Sequence, residues 1–331
     1  STWPAGTYGA ERASDWDGTT DKPVWVRLTL TVKPDEGKLI FDFSESDPQA
    51  DFINCPTGQT AAAVISGVAW SLPPGTARNQ GLLDCVTIIT KEGTVLGPTY
   101  PSTTWAQAPS LGTHITECVQ LVLSQIVPED TSALWSRHLC PIVTGKRRDK
   151  TDPRTGTPYI YWASPFHGDG SSGALEGFDG VDGIGPIHTG GAVVRAPVEV
   201  EEWDTPYRWL HYEFSPDSAG DGEWRGGAGT ELRIVNTYDP DVWQPLDCVV
   251  MTGNSDGEKF THTGLMGGTD GKAHRLGIIR KGEDVQLRCM DVQYLHPGDL
   301  IWTQSGGGGG YGDPLDRAIE MVQWDALNEY I

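Results

Sequence analysis

The sequence predicts a mainly β fold with few helices, and three observations lead to that prediction. Residues Val24 to Lys33 alternate branched or aromatic side chains with polar ones, which is the period of a half-buried strand. The 42 glycines and 23 prolines are nearly a fifth of the 331 residues, and they favour turns over helices. The 13 Trp, 10 Tyr and 7 Phe residues supply large apolar side chains, so the chain is expected to fold despite its glycine content.

The first part of the chain, residues 1–145, is predicted to be β-rich with one amphipathic helix. After the turn Pro34-Asp35-Glu36-Gly37, residues Lys38 to Ser44 alternate again and are predicted to form a hairpin with the first strand. Residues Asp84 to Thr90 are a further strand candidate. Apolar residues then recur at helical spacing over about residues 113–127, and Pro128 ends this predicted helix.

The second part, residues 146–331, is predicted to be one continuous module of a glycine-rich segment and further strands. The basic cluster Lys146-Arg147-Arg148 opens an exposed loop and marks the boundary. Between Pro165 and Gly191 glycine recurs every few residues, which suits extended or polyproline-like backbone packed closely on itself. Strands are then predicted at Trp209–Phe214, Thr230–Asn236, Cys248–Thr252 and Val285–Asp291.

Charge and hydropathy exclude several classes of partner. A formal net charge of -21 argues against nucleic acid and anionic membrane surfaces. No stretch approaches the roughly 18 apolar residues of a membrane span, and the first residues do not resemble a signal peptide. We therefore expect a cytoplasmic protein. The six cysteines contain no CxxC pair and are expected to be reduced and mostly buried, the alternative being a zinc site built from distant cysteines.

The glycine run Gly306 to Gly310 resembles a phosphate-binding loop only in composition. A Walker loop requires Gly-Lys followed by Ser or Thr at the start of a helix, whereas Tyr311-Gly312-Asp313-Pro314 follows here. An acidic side chain stands where phosphate needs Lys. We expect this chain to lack an ATP site of its own, and no cofactor-binding residue is predicted.

One segment brings an imidazole close in sequence to several carboxylates. His167 and Asp169 are the candidate catalytic residues, and the acids Glu176, Asp179 and Asp182 follow. Such a group could bind a divalent metal, but its spacing matches neither an EF-hand nor a zinc hydrolase, so no metal ligand is predicted. A solvated loop of turn-forming Asp residues is the alternative. His114, at the start of the predicted helix, is a candidate general base or, in the favoured interpretation, a capping or packing residue.

Segments spread over nearly the whole chain then point to a family. The most specific are the run from Asp217 to Gly229, of pattern D-S-x-G-x-G-x-x-R-G-G-x-G, and the closing G-G-G-Y-G-D-P that ends at Pro314. The others are Asp42-Phe43-Ser44, Ile53-Asn54-Cys55-Pro56, Asn79-Gln80-Gly81, the helix from Thr113, the run from Ala196 to Glu201, the run from Gly264 to Gly268, Pro297-Gly298-Asp299 and Arg317. In this combination the chain resembles the C-terminal half of the hydantoinase B and oxoprolinase family, which includes the large subunits of acetone and acetophenone carboxylases.

The resemblance implies a fold and a set of partners. The fold would be β-barrel-like sheets joined to a bundle of short polyproline-like segments. ATP and a divalent metal would be bound by partner subunits, namely actin-like ATP-binding subunits and a large hydantoinase B-like subunit. The chain departs from the family at Ala219, where glycine is usual, and at Arg195-Ala196-Pro197-Val198-Glu199, where Asn-x-Pro-x-Glu is frequent. It begins where the second half of such proteins would begin, so an accessory subunit, such as the small subunit of an acetophenone-type carboxylase, is expected.

Three functions are compatible with this resemblance. The first is a subunit of an ATP-dependent ketone carboxylase, which joins bicarbonate to a small ketone through phosphorylated intermediates. The second is a subunit of an ATP-dependent amidohydrolase of the hydantoinase or oxoprolinase kind. The third is a scaffold subunit that contributes no residue to the chemistry. Because fold and partners are shared, the sequence barely separates the first two.

Overall fold

The computed structural model describes residues 3–73, 75–105, 107–162, 170–192, 197–252, 255–289 and 291–331. Within these ranges it contains thirteen β-strands and five α-helices. In chain order they are β1 (Gly6–Ala13), β2 (Trp25–Lys33), β3 (Lys38–Asp42), α1 (Thr57–Trp70), α2 (Gln80–Cys85), β4 (Val86–Ile89), α3 (Thr113–Leu123), β5 (Ile142–Lys146), β6 (Pro158–Trp162), α4 (Val198–Asp204), β7 (Tyr207–Phe214), β8 (Thr230–Asn236), β9 (Cys248–Met251), β10 (Arg275–Arg280), β11 (Glu283–Leu287), β12 (Val292–Tyr294), β13 (Leu300–Gln304) and α5 (Ile319–Leu327).

The strands form three sheets, with orders β1-β2-β3-β4, β11-β10-β13-β8-β7 and β12-β9-β5-β6. The prediction of a mainly β fold with few helices is confirmed. The barrel-like arrangement is not closed, because each sheet keeps two edge strands among the described residues. No helix in the described ranges is long and apolar enough to cross a membrane.

The N-terminal hairpin is confirmed, with Thr29 opposite Asp42 and Lys33 opposite Lys38 in an antiparallel register. Its turn ends at Gly37, whose φ of 60° lies in the left-handed region that glycine adopts at little cost. Strand β1, which the sequence analysis did not predict, covers the other edge of β2. In the strand candidate Asp84–Thr90 only the part from Val86 is a strand, because α2 occupies the residues before it.

Helix α3 confirms the predicted helix but ends at Leu123, and a short 3₁₀ turn beginning at Pro128 follows. The expectation of a single helix in the first part was wrong, since α1 and α2 also lie there. Helix α1 carries two glycines and a weak apolar stripe, which hid it from periodicity. One of them, Gly67, lets α1 approach α3 closely, because a Cβ there would lie 2.8 Å from the Cβ of Val119.

Two apolar cores lie between these layers. The first joins the β1-β4 sheet to α1 and α3 and includes Leu30, Phe41 and Ile115. The second includes Leu139, Val143 and side chains from β8, β9, β10 and β13. The basic cluster that was predicted to mark a boundary ends β5 and opens the loop to β6. The division near residue 145 stays a prediction.

The run Gly306 to Gly310 lies fully buried at the centre of a bundle of extended segments outside the sheets. Its five backbone amides all donate within the protein, to the His274 ring and to the carbonyls of Ser218, Gly227, Leu134 and Thr269. A Cβ built on Gly308 would overlap the carbonyl group of Ser172. The run therefore serves close backbone packing, and no amide of it is left to hold phosphate.

Candidate functional site

Among the residues singled out by the sequence, His167 and Asp169 lie outside the described residues. Two of the acids that follow them have structural partners. Asp179 accepts from the guanidinium of Arg317 at 2.8 and 2.9 Å, and Asp182 accepts from the hydroxyl of Tyr330 at 2.6 Å. These carboxylates therefore tie the glycine-rich segment to the residues that flank the C-terminal helix. Within the described ranges, no group of three or more His, Cys, Asp or Glu side chains is arranged to hold a metal ion.

The cysteines match their expected state. All six are free, and five of them are buried, Cys85 being the exposed one. The prediction of reduced, mostly buried thiols is consistent with this arrangement.

A buried ion cluster lies beneath the N-terminal turns of α3. It consists of Arg12, His114, Glu117, Arg137 and Asp256, and the last four are less than 5% exposed. Glu117 accepts from Arg12 Nε at 2.9 Å and from Arg137 Nε and Nη2 at 2.9 and 2.7 Å. His114 Nε2 lies 2.9 Å from Asp256 Oδ2. His114 is thus a buried packing residue held by a carboxylate, in agreement with the favoured interpretation of the sequence.

The charges of this cluster depend on one another. Burial alone raises the pKa of Glu117, but the guanidinium groups of Arg137 and Arg12 outweigh it and hold that pKa at about 2. Burial likewise opposes ionisation of Asp256, yet His114 and Arg137 keep its pKa below the ordinary value. Glu117 and Asp256 therefore stay ionised at neutral pH, and the cluster fixes the start of α3 against the β1 strand and the 255–260 loop.

Asp15 borders the ion cluster, since its backbone amide donates to Asp256 Oδ1 at 3.0 Å. The carboxylate of Asp15 accepts from the backbone amides of Gly257, Glu258, Lys259 and Phe260 at 2.6–3.0 Å. Burial, and then the neighbouring charge of Asp256, raise its pKa to about 7 despite those donors. One side chain thus shapes the whole 257–260 turn.

Two further histidines are buried next to this cluster. His274 Nδ1 accepts from the amide of Gly306 at 2.9 Å, and its Nε2 donates to the carbonyl of Arg137 at 3.1 Å. Burial lowers the pKa of His274 to about 4 and that of His262 well below the usual value. The ring centroids of His262 and His274 are 5.1 Å apart. Both imidazoles are therefore neutral at physiological pH.

This geometry predicts a loss of stability on acidification. An unfolded chain protonates His274 near its ordinary pKa of 6.5, so between there and about pH 4 the unfolded state binds more protons and stability falls as the pH drops. The expected loss from this residue is about 3 kcal/mol between pH 7 and pH 4. Urea unfolding of the wild type and of His274→Gln at several pH values should show a smaller fall in the variant. The raised pKa of Asp15 makes the folded state more stable on acidification, but this contribution is the same in the wild type and in His274→Gln. If the free energy of unfolding fell equally with pH in both proteins, His274 would not be a source of the acid sensitivity.

A cleft of about 280 Å³ opens at the surface beside the C-terminal end of α1. It lies between the end of α1, at Trp70, and the segment Ile187 to Gly190, with Arg78 at its rim. The half-buried His188 places Nδ1 2.9 Å from the hydroxyl of Thr113, the first residue of α3. Trp70 packs against Trp135 with ring centroids 5.3 Å apart. The cleft thus combines an aromatic wall, a guanidinium and an oriented imidazole.

The start of α3 links the cleft to the ion cluster. Thr113 contacts His188 on the cleft side, and its neighbour His114 contacts Asp256 on the other. His138 lies between, with its ring 5.7 Å from that of His188 in an edge-on arrangement. A kinked segment, Ala108–Gly112, in which Ser110 has a non-helical conformation, precedes α3. The ion cluster therefore positions the residue that orients His188.

These groups can perform acid-base chemistry on a small carbonyl compound. An imidazole can take a proton from water or give one to a leaving nitrogen, and its ordinary pKa suits neutral pH. The guanidinium of Arg78 is exposed and suits an oxyanion or phosphoryl group. Sequence reasoning missed His188 because it stands alone among glycines. Arg78 had one usable signal, since it directly precedes the Asn79-Gln80-Gly81 motif.

The fold defines a mainly β protein of three open sheets connected by buried glycine-rich segments. Its cleft, lined by His188, lies beside helix α1. The Hydantoinase B/oxoprolinase family profile matches residues 1–314, so this chain belongs to that family. The resemblance inferred from the sequence motifs is confirmed.

Sequence identity to individual proteins is below 30%, but it extends over almost the whole chain. The chain is 28% identical, over 99% of its length, to a putative D-/L-hydantoinase component from Pseudomonas sp. (strain NS671). It is 26% identical, over 98% of its length, to the beta chain of the caprolactamase from Pseudomonas jessenii. It covers 54% of each of them, so it spans about half the length of the curated relatives it matches.

Two solved structures share the fold. The crystal structure of the ATP-dependent caprolactamase from Pseudomonas jessenii superposes with a TM-score of 0.84 at 22% identity, over 99% of this chain and 55% of that one. A nucleotide-free structure of acetone carboxylase superposes with a TM-score of 0.80 at 17% identity, over 99% of this chain and 48% of the other. At these identities the likeness shows the fold alone.

Proposed function

We propose that this chain is part of an ATP-dependent complex that opens the amide bond of a small cyclic amide. Membership of the family supports an ATP-dependent, multi-subunit enzyme, and the relatives named above include components of a hydantoinase and of a caprolactamase. ATP and a divalent metal are assigned to partner subunits. In the overall reaction the amide bond and the terminal phosphoanhydride bond of ATP are each hydrolysed, which consumes two waters.

The observation that carries the proposal is the cleft beside the C-terminal end of α1. An amide must be activated before water can open it, and phosphorylation of its oxygen supplies that activation. In this cleft Arg78 would bind the phosphorylated oxygen and His188 would act as acid or base on water and the ring nitrogen. Trp70, which lines the cleft and packs against Trp135, would cover the ring and limit bulk water, whose attack at phosphorus would return the activated intermediate to the unopened amide.

Ketone carboxylation, which the sequence analysis placed first, is the second candidate. It is supported by the shared fold with acetone carboxylase and by the same cleft, whose guanidinium suits bicarbonate as well as a phosphoryl group. Amide opening is placed ahead because relatives named for amide substrates share 26–28% sequence identity with this chain, whereas acetone carboxylase shares 17%. A pure scaffold would leave the cleft without a role.

Reconstitution with the ATP-handling partner subunits decides between these functions. We expect phosphate and a ring-opened acid to form from ATP and the cyclic amide, with no need for bicarbonate. The acid is an N-carbamoyl amino acid from hydantoin and an amino acid from 5-oxoproline or caprolactam. Carboxylation of acetone or acetophenone that requires bicarbonate would instead support the second candidate. Turnover that is unchanged when this chain is omitted would exclude both functions.

Substitution of His188 tests the cleft itself. In the reconstituted complex His188→Gln is expected to lower kcat by at least about 10²-fold, because the acid-base group is lost while the shape is nearly kept. Thr113→Val, which removes the hydroxyl that orients the ring, should lower kcat less and shift its pH dependence. His211→Gln, on strand β7 outside the cleft, is the control and should be active. Full activity of His188→Gln would place the chemistry elsewhere.

A further inference from the structure

The C-terminal helix α5 has its polarity reversed relative to an ordinary surface helix. Its buried residue is Asp325, at 2% exposure, whereas Ile319 and Leu327 are 71% and 83% exposed. With about 100° per residue, these two apolar side chains lie about 80° apart around the helix and Asp325 lies on the opposite side. A helix that packs on its own domain normally shows the opposite arrangement.

Ionic contacts explain why α5 packs with Asp325 buried and its apolar side chains exposed. Asp325 accepts from Arg225 Nε at 3.2 Å and from Arg317 Nε at 3.0 Å. Tyr330, just after the helix, lies over the Arg225 guanidinium at 3.9 Å and donates to Asp182. Because both arginines are nearly buried, the attachment of α5 is specific, and it directs the apolar side of the helix into solvent.

The exposed apolar side is larger than α5 alone. Trp324 is 53% exposed, and Leu315 and Ile331, before and after the helix, are 91% and 51% exposed. With Ile319 and Leu327 they form the surface that we name the α5 face. Five large apolar side chains exposed within seventeen residues of sequence favour a site of interaction.

The exposed charged side chains of the C-terminal segment are all acidic. From residue 313 to the end of the chain, the exposed charged side chains are Asp313, Asp316, Glu320 and Glu329. Asp217, whose amide donates to the carbonyl of Tyr330, adds a fifth exposed carboxylate. A second copy of this chain would bring the same carboxylates together, and an anionic membrane would be repelled as well. A partner with an apolar groove rimmed by Lys and Arg is complementary to both features.

We propose that the α5 face docks into such a basic-rimmed apolar groove on the ATP-handling partner subunit. The choice of that subunit rests on the function proposed above, whereas the chemistry of the groove follows from the face itself. The apolar side chains supply the buried area, and the surrounding carboxylates speed the encounter and set the orientation. The bonds of Asp325 to Arg225 and Arg317 keep the helix in place for docking.

The test uses the full chain and the purified ATP-handling subunit, with calorimetry for affinity and light scattering for mass. Leu327→Glu is expected to weaken binding at least tenfold, and Glu320→Lys to weaken it several-fold and reduce its salt dependence. Leu246→Glu, at 70% exposure outside the face, is the matched control and should bind as the wild type does. None of these exposed positions should change the urea midpoint.

The outcomes separate this inference from the proposed function. Wild-type affinity in Leu327→Glu, or no binding by the wild type, would overturn docking through α5 even in an active complex. A homodimer that Leu327→Glu dissociates would overturn the choice of partner. If Leu327→Glu weakens binding but no substrate is turned over in any mixture, the docking surface stands and the proposed function fails.

Discussion

Replacing Glu117 by Gln is expected to lower the free energy of unfolding by about 3–5 kcal/mol. Glu117 is fully buried and accepts three hydrogen bonds from Arg12 and Arg137. The variant keeps the shape of the side chain but removes its charge and turns one oxygen into a donor that faces guanidinium donors. Among the described residues, Arg137, itself fully buried, then keeps Asp256 as its remaining charged acceptor, at 3.4 Å. Urea denaturation at pH 7 measures the loss.

A surface ion pair supplies the control for this experiment. Glu11 lies 3.3 Å from Arg27, with side chains 56% and 38% exposed. Glu11→Gln should therefore cost less than about 1 kcal/mol. Equal losses in the two variants would show that the buried ion cluster does not hold α3 in place. A loss confined to Glu117→Gln should also reduce activity in the reconstituted complex, because Thr113 orients His188 from the same helix turn.

Gly308→Ala is expected to destabilise the fold by at least about 3 kcal/mol, or to prevent folding. A methyl group at this position would overlap the carbonyl of Ser172, which is backbone and cannot rotate away. Gly308 also donates to Gly227 at 2.9 Å and accepts from Gly220 at 2.8 Å, so the segment cannot shift without breaking the bundle. Expression level and urea midpoint together report the effect.

Gly58→Ala is the matched substitution for that experiment. Gly58 lies in α1, and a Cβ there would meet no atom within 4 Å. Because alanine favours helix by up to about 1 kcal/mol over glycine, the expected change is zero or a slight stabilisation. If Gly308→Ala were as well tolerated, the close packing of the glycine bundle would not be needed for the fold.

Local patterns explain which parts of the fold were predictable. Strand β2 and its hairpin partner follow from alternation over a few residues, and α3 follows from its apolar spacing. Helix α1 was missed because its glycines weaken the apolar stripe. The role of Gly67, which is to let α1 pack closely against Val119 of α3, is visible only in the folded structure. The strands β1, β5, β6, β10, β12 and β13 carry weaker alternation and are defined by their partners in the sheets.

The candidate site shows the same division. Arg12 and Glu117 are separated by 105 residues and Arg137 and Asp256 by 119, so no spacing rule joins them. His188 acquires its interest only from Thr113, 75 residues away. The sequence directed attention instead to His167 and Asp169, which stay untested candidates.

By itself, the sequence determined the fold class, the family and the fact that the Gly306 to Gly310 run lacks the residues of a phosphate loop, because these depend on composition and on short motifs. Only the tertiary structure decided what that run does, how the ion cluster and the cleft are assembled, and which way α5 faces. These features arise from contacts between residues distant in the chain. Burial then decides their energetics, since removing charges from water makes each one dependent on the partners that the fold supplies.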